Sequence, residues 1–354
     1  MDCLQILPET LEVLKNHKVE REKMLFGYVD PPIMVECDFK NGVWEEPKLV
    51  PYHNLSLDPA TKVLHYAQGI FEGMKAYHVE EKGPYLFRPV DHYLRFILSS
   101  QRLDIPEIPK EFFIDAVEGF TKHVIPYIPT ETRNSLYLRP FIIATENGLG
   151  ANSSKEFKFV LIGKVSKPYF EEKEQIGIHL ERNYSRVGKG CTGSAKAISN
   201  YASGMKVDRQ AKERGCKISL WLDSSDKQYI EELSGMHFFI VCKNYVYTPA
   251  MTDSILPGIT RDCIFTLAKD KGYHTMEATM DINDLLENID NCSEMFAVGT
   301  TATVMPISYL RESTGHLYYP QLEDGPVTRS LRESLLAIQE GRSEDPYGWV
   351  RKVT

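Results

Sequence analysis

Apolar runs long enough to cross a membrane are missing from these 354 residues; stretches such as 238–242 fall far short of the ~20 residues that a bilayer core demands. A membrane anchor is therefore not expected. The opening, MDCLQILPETLEVLKNHKVEREKM, mixes acidic with apolar side chains and lacks the basic segment followed by an apolar core that an export signal needs. Basic excess is missing too. With 41 Lys and Arg against 49 Asp and Glu, and a net charge of −8 spread along the chain, no broad cationic face is left for a phosphate backbone, so nucleic-acid binding is not expected. Cysteine is sparse and unpatterned. The seven, at 3, 37, 191, 216, 242, 263 and 292, are odd in number and never spaced as CxxC or set beside paired histidines. That speaks against a metal site or a disulfide framework and for a reducing, cytoplasmic setting. No repeat and no low-complexity tract is present, which excludes a solenoid.

What is present is ordinary globular composition, 42% hydrophobic and 25% charged, in a length that fits two domains. Helical spacing occurs at 91–103 and 110–125, and FKFVLIGKV (157–165) has the pattern of a buried strand. Further on, short strands at 218–223, 237–242 and 294–300 alternate with helices near 200–215, 260–271, 281–289 and 327–341. This mixture predicts an α/β or α+β fold. A proline, a charged cluster and a glycine with little apolar pattern mark 164–177 as a connection. The expected organisation is a smaller N-terminal α/β domain at 1–165, a linker at 166–177 and a larger domain at 178–354.

Several segments carry side chains suited to chemistry. In RVGKGCTGSAKAISNYASG (186–204), glycines lead into Lys196, a residue type that forms Schiff bases with carbonyl compounds when shielded; on this segment alone a solvated lysine after a glycine turn is the more ordinary reading. In LPGITRDCIFTLAKDKG (256–272), a Pro-Gly turn precedes a helix that Thr260 can cap, and a helix start suits a phosphate. AVGTTATVMP (297–306) ends a strand in a hydroxyl-rich loop of the same capacity. YIEELSGMHFFIV (229–241) sets Glu231 and Glu232 before a strand, where a carboxylate can meet a cationic ring nitrogen or simply stay solvated. LHYAQGIFEGMKAY (64–77) and SLYLRPFII (135–143) gather Tyr66, Phe71, Tyr137 and Arg139 in apolar sequence, and an arginine there asks for a carboxylate, structural or substrate.

The order and spacing of these segments resemble the branched-chain amino-acid aminotransferases, fold-type-IV pyridoxal-phosphate enzymes with the D-amino-acid-aminotransferase-like fold. The likeness is nearly full-length, from MLFGYVDPPIMVECDF through NLSLDPATKVLHYAQGIFEGMKAY, LFRPVDHYLRFILSSQRL and LYLRPFIIATENGLG to LPGITRDCIFTLAK, VGTTATVMP and EDPYGWV. It implies transfer of an amino group between leucine, isoleucine or valine and 2-oxoglutarate, with pyridoxal 5'-phosphate as cofactor and a homodimer as the working form. By that resemblance Lys196 carries the cofactor as a Schiff base and shuttles the proton. Tyr201 bonds the phenolic oxygen, and Glu232 the pyridine nitrogen, with Glu231 one residue out of register. Arg95, Ile259, Thr260 and Thr300 hold the phosphate, and Arg186 supports that side. Phe26, Tyr66, Phe71, Tyr137, Arg139, Tyr169 and Thr301 line the substrate pocket, which the family builds from both domains.

The chain departs from the pattern at three places. Ile198 and Ser199 replace two glycines after the lysine, His237 stands where many relatives have asparagine and reads as a core histidine, and Ala302 and Met305 replace the CxxC of some relatives, so thiol regulation by that motif is not expected. These leave the cofactor chemistry in place and open the substrate choice. The rivals are an aminotransferase for an atypical hydrophobic amino acid, a lyase of the aminodeoxychorismate-lyase type, a D-amino-acid transaminase, and a non-catalytic phosphate-ligand binding protein.

Overall fold

The computed structural model describes residues 3–19, 31–79, 82–167, 176–322 and 325–353. The chain divides into two compact units: one of Met1–Pro168, Ala195–Ser199 and Ile338–Thr354, the other of Tyr169–Ser194 and Asn200–Ala337. Lys196 and the C-terminal tail thus belong to the first unit. No helix among the described residues is long and apolar enough to cross a membrane.

The first unit is built, among its described residues, on a ten-stranded sheet. Its longest pairing joins Ser135–Ala144 to Phe157–Ser166, antiparallel from Ser135 opposite Ser166 to Ala144 opposite Phe157. Strand alternation turns Phe157, Phe159 and Leu161 to one face. There Phe159 meets Phe96 of the helix Pro89–Arg102 and Phe113 of the helix Lys110–His123, with ring centroids 6.2 and 6.1 Å apart. All three rings are fully buried, and each contributes roughly 1.5–3 kcal/mol by leaving water. The helix expected over 110–125 stops at His123 because Pro126 lacks the N–H to continue it; a short 3-10 turn, Ile125–Tyr127, follows. The C-terminal strand Val350–Lys352 closes this sheet on Gly83–Phe87.

In the second unit a nine-stranded mixed sheet runs through the described residues. The strand His237–Cys242 lies between Tyr245–Pro249 and Glu294–Gly299, antiparallel to both. Ile176–Glu181 is buried along its whole length and parallel to Ile218–Leu222 and Thr303–Arg311. The helix expected near 200–215 is two pieces, Ser199–Ala202 and Met205–Glu213, divided at Gly204, whose missing side chain lets Trp221 approach: a Cβ there would lie 3.3 Å from the indole.

Candidate active site

In the first unit, Lys196 is fixed through its backbone. Its N–H donates to Ser99 Oγ at 2.9 Å, its carbonyl accepts from Phe71 N–H at 3.1 Å, and the Ile198 N–H donates to the Gly69 carbonyl at 3.1 Å. Residues 196–198 thus lie as a short extra strand beside Gly69–Phe71, with Ala197 bridged to Ile70. The Lys196 ammonium sits 4.7 Å from the centre of the Phe71 ring, within the range of a cation–π contact.

The helix Pro89–Arg102 presents His92, Arg95 and Ser99 on one face, spaced by three and four residues as one side of a helix requires. Opposite stands Glu72, fully buried, next to Phe71. Its carboxylate accepts from Arg95 Nε at 2.6 Å, Arg95 Nη2 at 2.9 Å, His92 Nδ1 at 2.7 Å and the Gly73 N–H at 3.1 Å. Burial alone would raise the Glu72 pKa, but the Arg95 guanidinium and the His92 ring outweigh it and hold the carboxyl far below the usual range. Burial holds the His92 pKa below its ordinary value against the pull of Glu72.

Phe71, Tyr137 and Arg139 also meet here. The Arg139 guanidinium carbon lies 4.5 Å from the Phe71 ring centre and 5.3 Å from that of Tyr137, and Arg139 Nη2 donates to the Tyr137 hydroxyl at 3.1 Å. Gly73 makes room for that hydroxyl, since a Cβ would fall 1.8 Å from it. Arg139 Nε is buried with no hydrogen-bond partner. Tyr66 is half exposed, with its hydroxyl on the Leu149 carbonyl. Phe26 and Tyr169 lie outside the described residues.

In the second unit, Glu231 and Glu232 occupy the buried strand Ile230–Leu233 and so point to opposite faces. Glu232 Oε1 forms an ion pair with Arg186 Nη2 at 2.5 Å, and the same Nη2 donates to the Ser254 carbonyl. Glu231 accepts from the Ser254 hydroxyl; burial raises its pKa, and its Oε2 has no partner. A cavity of about 290 Å³ opens on the Glu231 side, with Lys189, Asp223, Tyr229 and Asp253 in its wall, and neither Glu232 nor Arg186 lines it.

The helix Ile259–Asp270 starts after Gly258, which is extended and carries no side-chain cap. The expectation that Thr260 caps this helix is corrected: Thr260 is already inside the first turn, so its backbone is helical and the capping position falls on glycine. Only glycine fits, because a Cβ on Gly258 would fall 2.1 Å from His237 Nε2. The neighbouring Met236 packs on Gly299, where a Cβ would lie 2.9 Å from its Cγ. Gly299 pairs with Thr303, whose φ of 63° sets the tight turn that carries Thr300 and Thr301. The Met236–His237 corner, with Met236 partly buried and His237 buried, therefore brings the start of the 259–270 helix and the 300–301 turn together. Tyr201, in the short helix Ser199–Ala202, is partly exposed.

Glu72, His92, Ser99 and Met236 were not singled out in the sequence. Their signal was a polar triplet at helical spacing on a face that should be apolar, and a glutamate inside an apolar run. Each unit by itself carries donors suited to part of a phosphorylated pyridine aldehyde: the second has an uncapped twelve-residue helix start beside a hydroxyl-bearing turn, which suits a phosphate, and a buried carboxylate with an arginine behind it, which suits a ring nitrogen; the first has a backbone-fixed lysine, which suits a carbonyl.

Comparison with known proteins agrees. Residues 69–310 match the family described as amino-transferase class IV. A probable branched-chain-amino-acid aminotransferase of Streptomyces coelicolor is 39% identical over 311 residues, covering 87% of this chain and 86% of its own. Branched-chain-amino-acid aminotransferase 2 of Bacillus subtilis is 35% identical over 353 residues, covering 99% and 97%. Among solved structures, the Escherichia coli branched-chain amino acid aminotransferase superposes with a TM-score of 0.74 at 25% identity, over 90% of this chain and 99% of that one. A second branched-chain amino acid aminotransferase, from T.th. and solved with N-(5'-phosphopyridoxyl)-L-glutamate, gives 0.72 at 26% identity over 90% and 98%. With the match covering most of its length and its relatives spanned nearly end to end, the chain belongs to the class IV aminotransferases, within their branched-chain-amino-acid aminotransferase family.

Proposed function

We propose that this protein transfers the amino group between leucine, isoleucine or valine and 2-oxoglutarate, giving branched 2-oxo acids and L-glutamate, with pyridoxal 5'-phosphate as cofactor. The observation that carries the reading is Lys196, fixed at both its N–H and its carbonyl, with its amine over the Phe71 ring. The cofactor, when bound, supplies a carbonyl that condenses with amines and a ring that takes up the electron pair left at the substrate carbon.

The protein's own groups do the rest. Lys196 would hold the cofactor through its amine and would be the group that moves the proton from the substrate α-carbon. Glu232 keeps a proton on the pyridine nitrogen, and its pairing with Arg186 favours the charged carboxylate over the Glu231 alternative, whose burial favours the neutral acid. Tyr201 bonds the phenolic oxygen. The Ile259 backbone with the Thr260 and Thr300 hydroxyls receives the phosphate; Arg95 serves the same group from a position that Glu72 fixes, and Arg186 supports that side.

Phe26, Tyr66, Phe71, Tyr137, Tyr169 and Thr301 wall the substrate. Arg139 orients carboxylate ends, including the second carboxylate of glutamate, with its buried unpartnered Nε available to an acceptor. We further infer a homodimer and a cytoplasmic enzyme, in keeping with seven free cysteines. The test is a coupled transamination panel of leucine, isoleucine, valine, methionine, phenylalanine, alanine and atypical amino acids with 2-oxoglutarate. Glutamate formed from all three branched substrates is expected. Inactivity toward all three overturns the substrate, and pyruvate formed with no oxo-acid acceptor would favour the lyase.

A further inference from the structure

At the far end of the strand His237–Cys242 from His237, the Cys242 thiol touches that of Cys292, Sγ to Sγ 2.9 Å. Cys292 comes just before the strand Glu294–Gly299, in the stretch that delivers the chain to its ladder with 237–241. The Ser293 N–H donates to the Val241 carbonyl at 2.7 Å and the Ser293 hydroxyl to the same oxygen at 3.1 Å, so the backbones beside both cysteines are already tied together. The sulfurs need to close by only about 0.9 Å to reach the roughly 2.05 Å of a disulfide bond. Fifty residues of chain separate them.

We propose that Cys242 and Cys292 form a modification site in which a hydroperoxide closes the two thiols into an intramolecular disulfide. Cys242 is partly exposed and Cys292 is buried, which sets the order of events. Cys242 sulfur attacks the peroxide O–O bond, forms a sulfenic acid and releases one oxygen as water or alcohol. Cys292 sulfur then attacks the Cys242 sulfur and expels the second oxygen as water. Two thiols give up two electrons and two protons, and the peroxide takes them up. The contact with the Cys292 thiol holds the Cys242 pKa below the usual thiol value, while that contact and burial push Cys292 up. Attack by Cys242 and resolution by Cys292 follow.

This pair differs from the CxxC of some relatives, whose places Ala302 and Met305 fill. The cross-link would join two neighbouring strands of the second unit at the end away from the Met236–His237 corner, so it strengthens that unit without covering any proposed cofactor residue.

The experiment treats the purified holoenzyme with hydrogen peroxide, blocks free thiols and maps peptides without reduction. A peptide pair linked through Cys242 and Cys292 is expected, lost on adding dithiothreitol, together with a rise in Tm of roughly 5–10 °C in the oxidised protein. Cys242→Ser and Cys292→Ser should keep basal transaminase activity and lose both the link and the rise. Oxidised protein in which both thiols still alkylate, or in which either is found as sulfinic acid or bonded to a different cysteine, overturns the proposal.

Discussion

Glu72 and Arg95 meet side-on, Nε to Oε1 at 2.6 Å and Nη2 to Oε2 at 2.9 Å, with both side chains shut away from water. The pairing fixes where a buried guanidinium points in the unit that also carries Lys196. Removing one partner of a buried pair strands the other charge, at a cost of about 3–5 kcal/mol. Glu72→Gln should therefore lower Tm clearly and weaken cofactor retention, read by absorbance while pyridoxal phosphate is titrated into the apoprotein. Unchanged affinity would separate Glu72 from the cofactor.

The same carboxylate sets an acid limit. Its folded pKa is depressed below the unfolded value, so the unfolded chain takes up its proton first as pH falls. Its stabilisation is complete above roughly pH 5 and is lost progressively as pH drops through the ordinary glutamate range toward the depressed value. Tm measured from pH 6 to pH 3 should fall more steeply in the wild type than in Glu72→Gln. Parallel curves would count against the pairing.

How much of this was legible in the sequence depends on the type of signal. The helix at 91–103 was visible through its helical spacing and the strands at 157–165, 218–223 and 237–242 as short, mostly apolar runs, and their structural bounds agree to within two residues. Strands such as Ile33–Lys40 and Ile176–Glu181 escaped because Glu36, Asp38, Gly177 and His179 break their apolar runs while much of each strand is buried, leaving no clean run to read. Lys196, the Glu231–Glu232 pair and the 259–260 helix start stood out by their local residue pattern, and family resemblance supplied the roles proposed for them. The residues that hold them in place, Ser99 against the Lys196 backbone and Met236 and His237 against two glycines, depend on contacts between distant segments. His237, read as a core histidine, is buried.

At the helix start, Gly258→Ala should cost about 1–3 kcal/mol of stability through overpacking, since the added methyl meets the His237 ring. Placing the same change in a His237→Ala background should recover much of that loss, because neighbouring substitutions are not additive. Thermal melts of the four proteins check it; an equal cost in both backgrounds would mean that His237 is not the obstacle.

The two adjacent glutamates should behave differently. Glu232→Ala should lower kcat by about 10²-fold, the usual effect of removing a preorganised electrostatic group. Glu231→Gln, in a site whose burial already favours the neutral acid, should leave kcat within a few-fold. Steady-state kinetics with leucine decide, and a reversed order would move the ring-nitrogen partner to Glu231.

Ile198 donates its N–H to the Gly69 carbonyl, and its Cδ1 lies 3.0 Å from where a Gly69 Cβ would sit, so its bulk lies next to the strand carrying Phe71. Ile198→Gly should raise kcat/KM for phenylalanine relative to valine by about tenfold, the worth of a methylene or two in an apolar pocket. An unchanged ratio would clear Ile198 of setting specificity.

Lys196 itself is the most direct test. The holoenzyme is reduced with borohydride, digested and mapped for the phosphopyridoxyl group. The label should sit on the peptide containing Lys196, and Lys196→Ala should take up no label and lose transaminase activity. Label on a different lysine, or full activity in Lys196→Ala, would contradict the assignment.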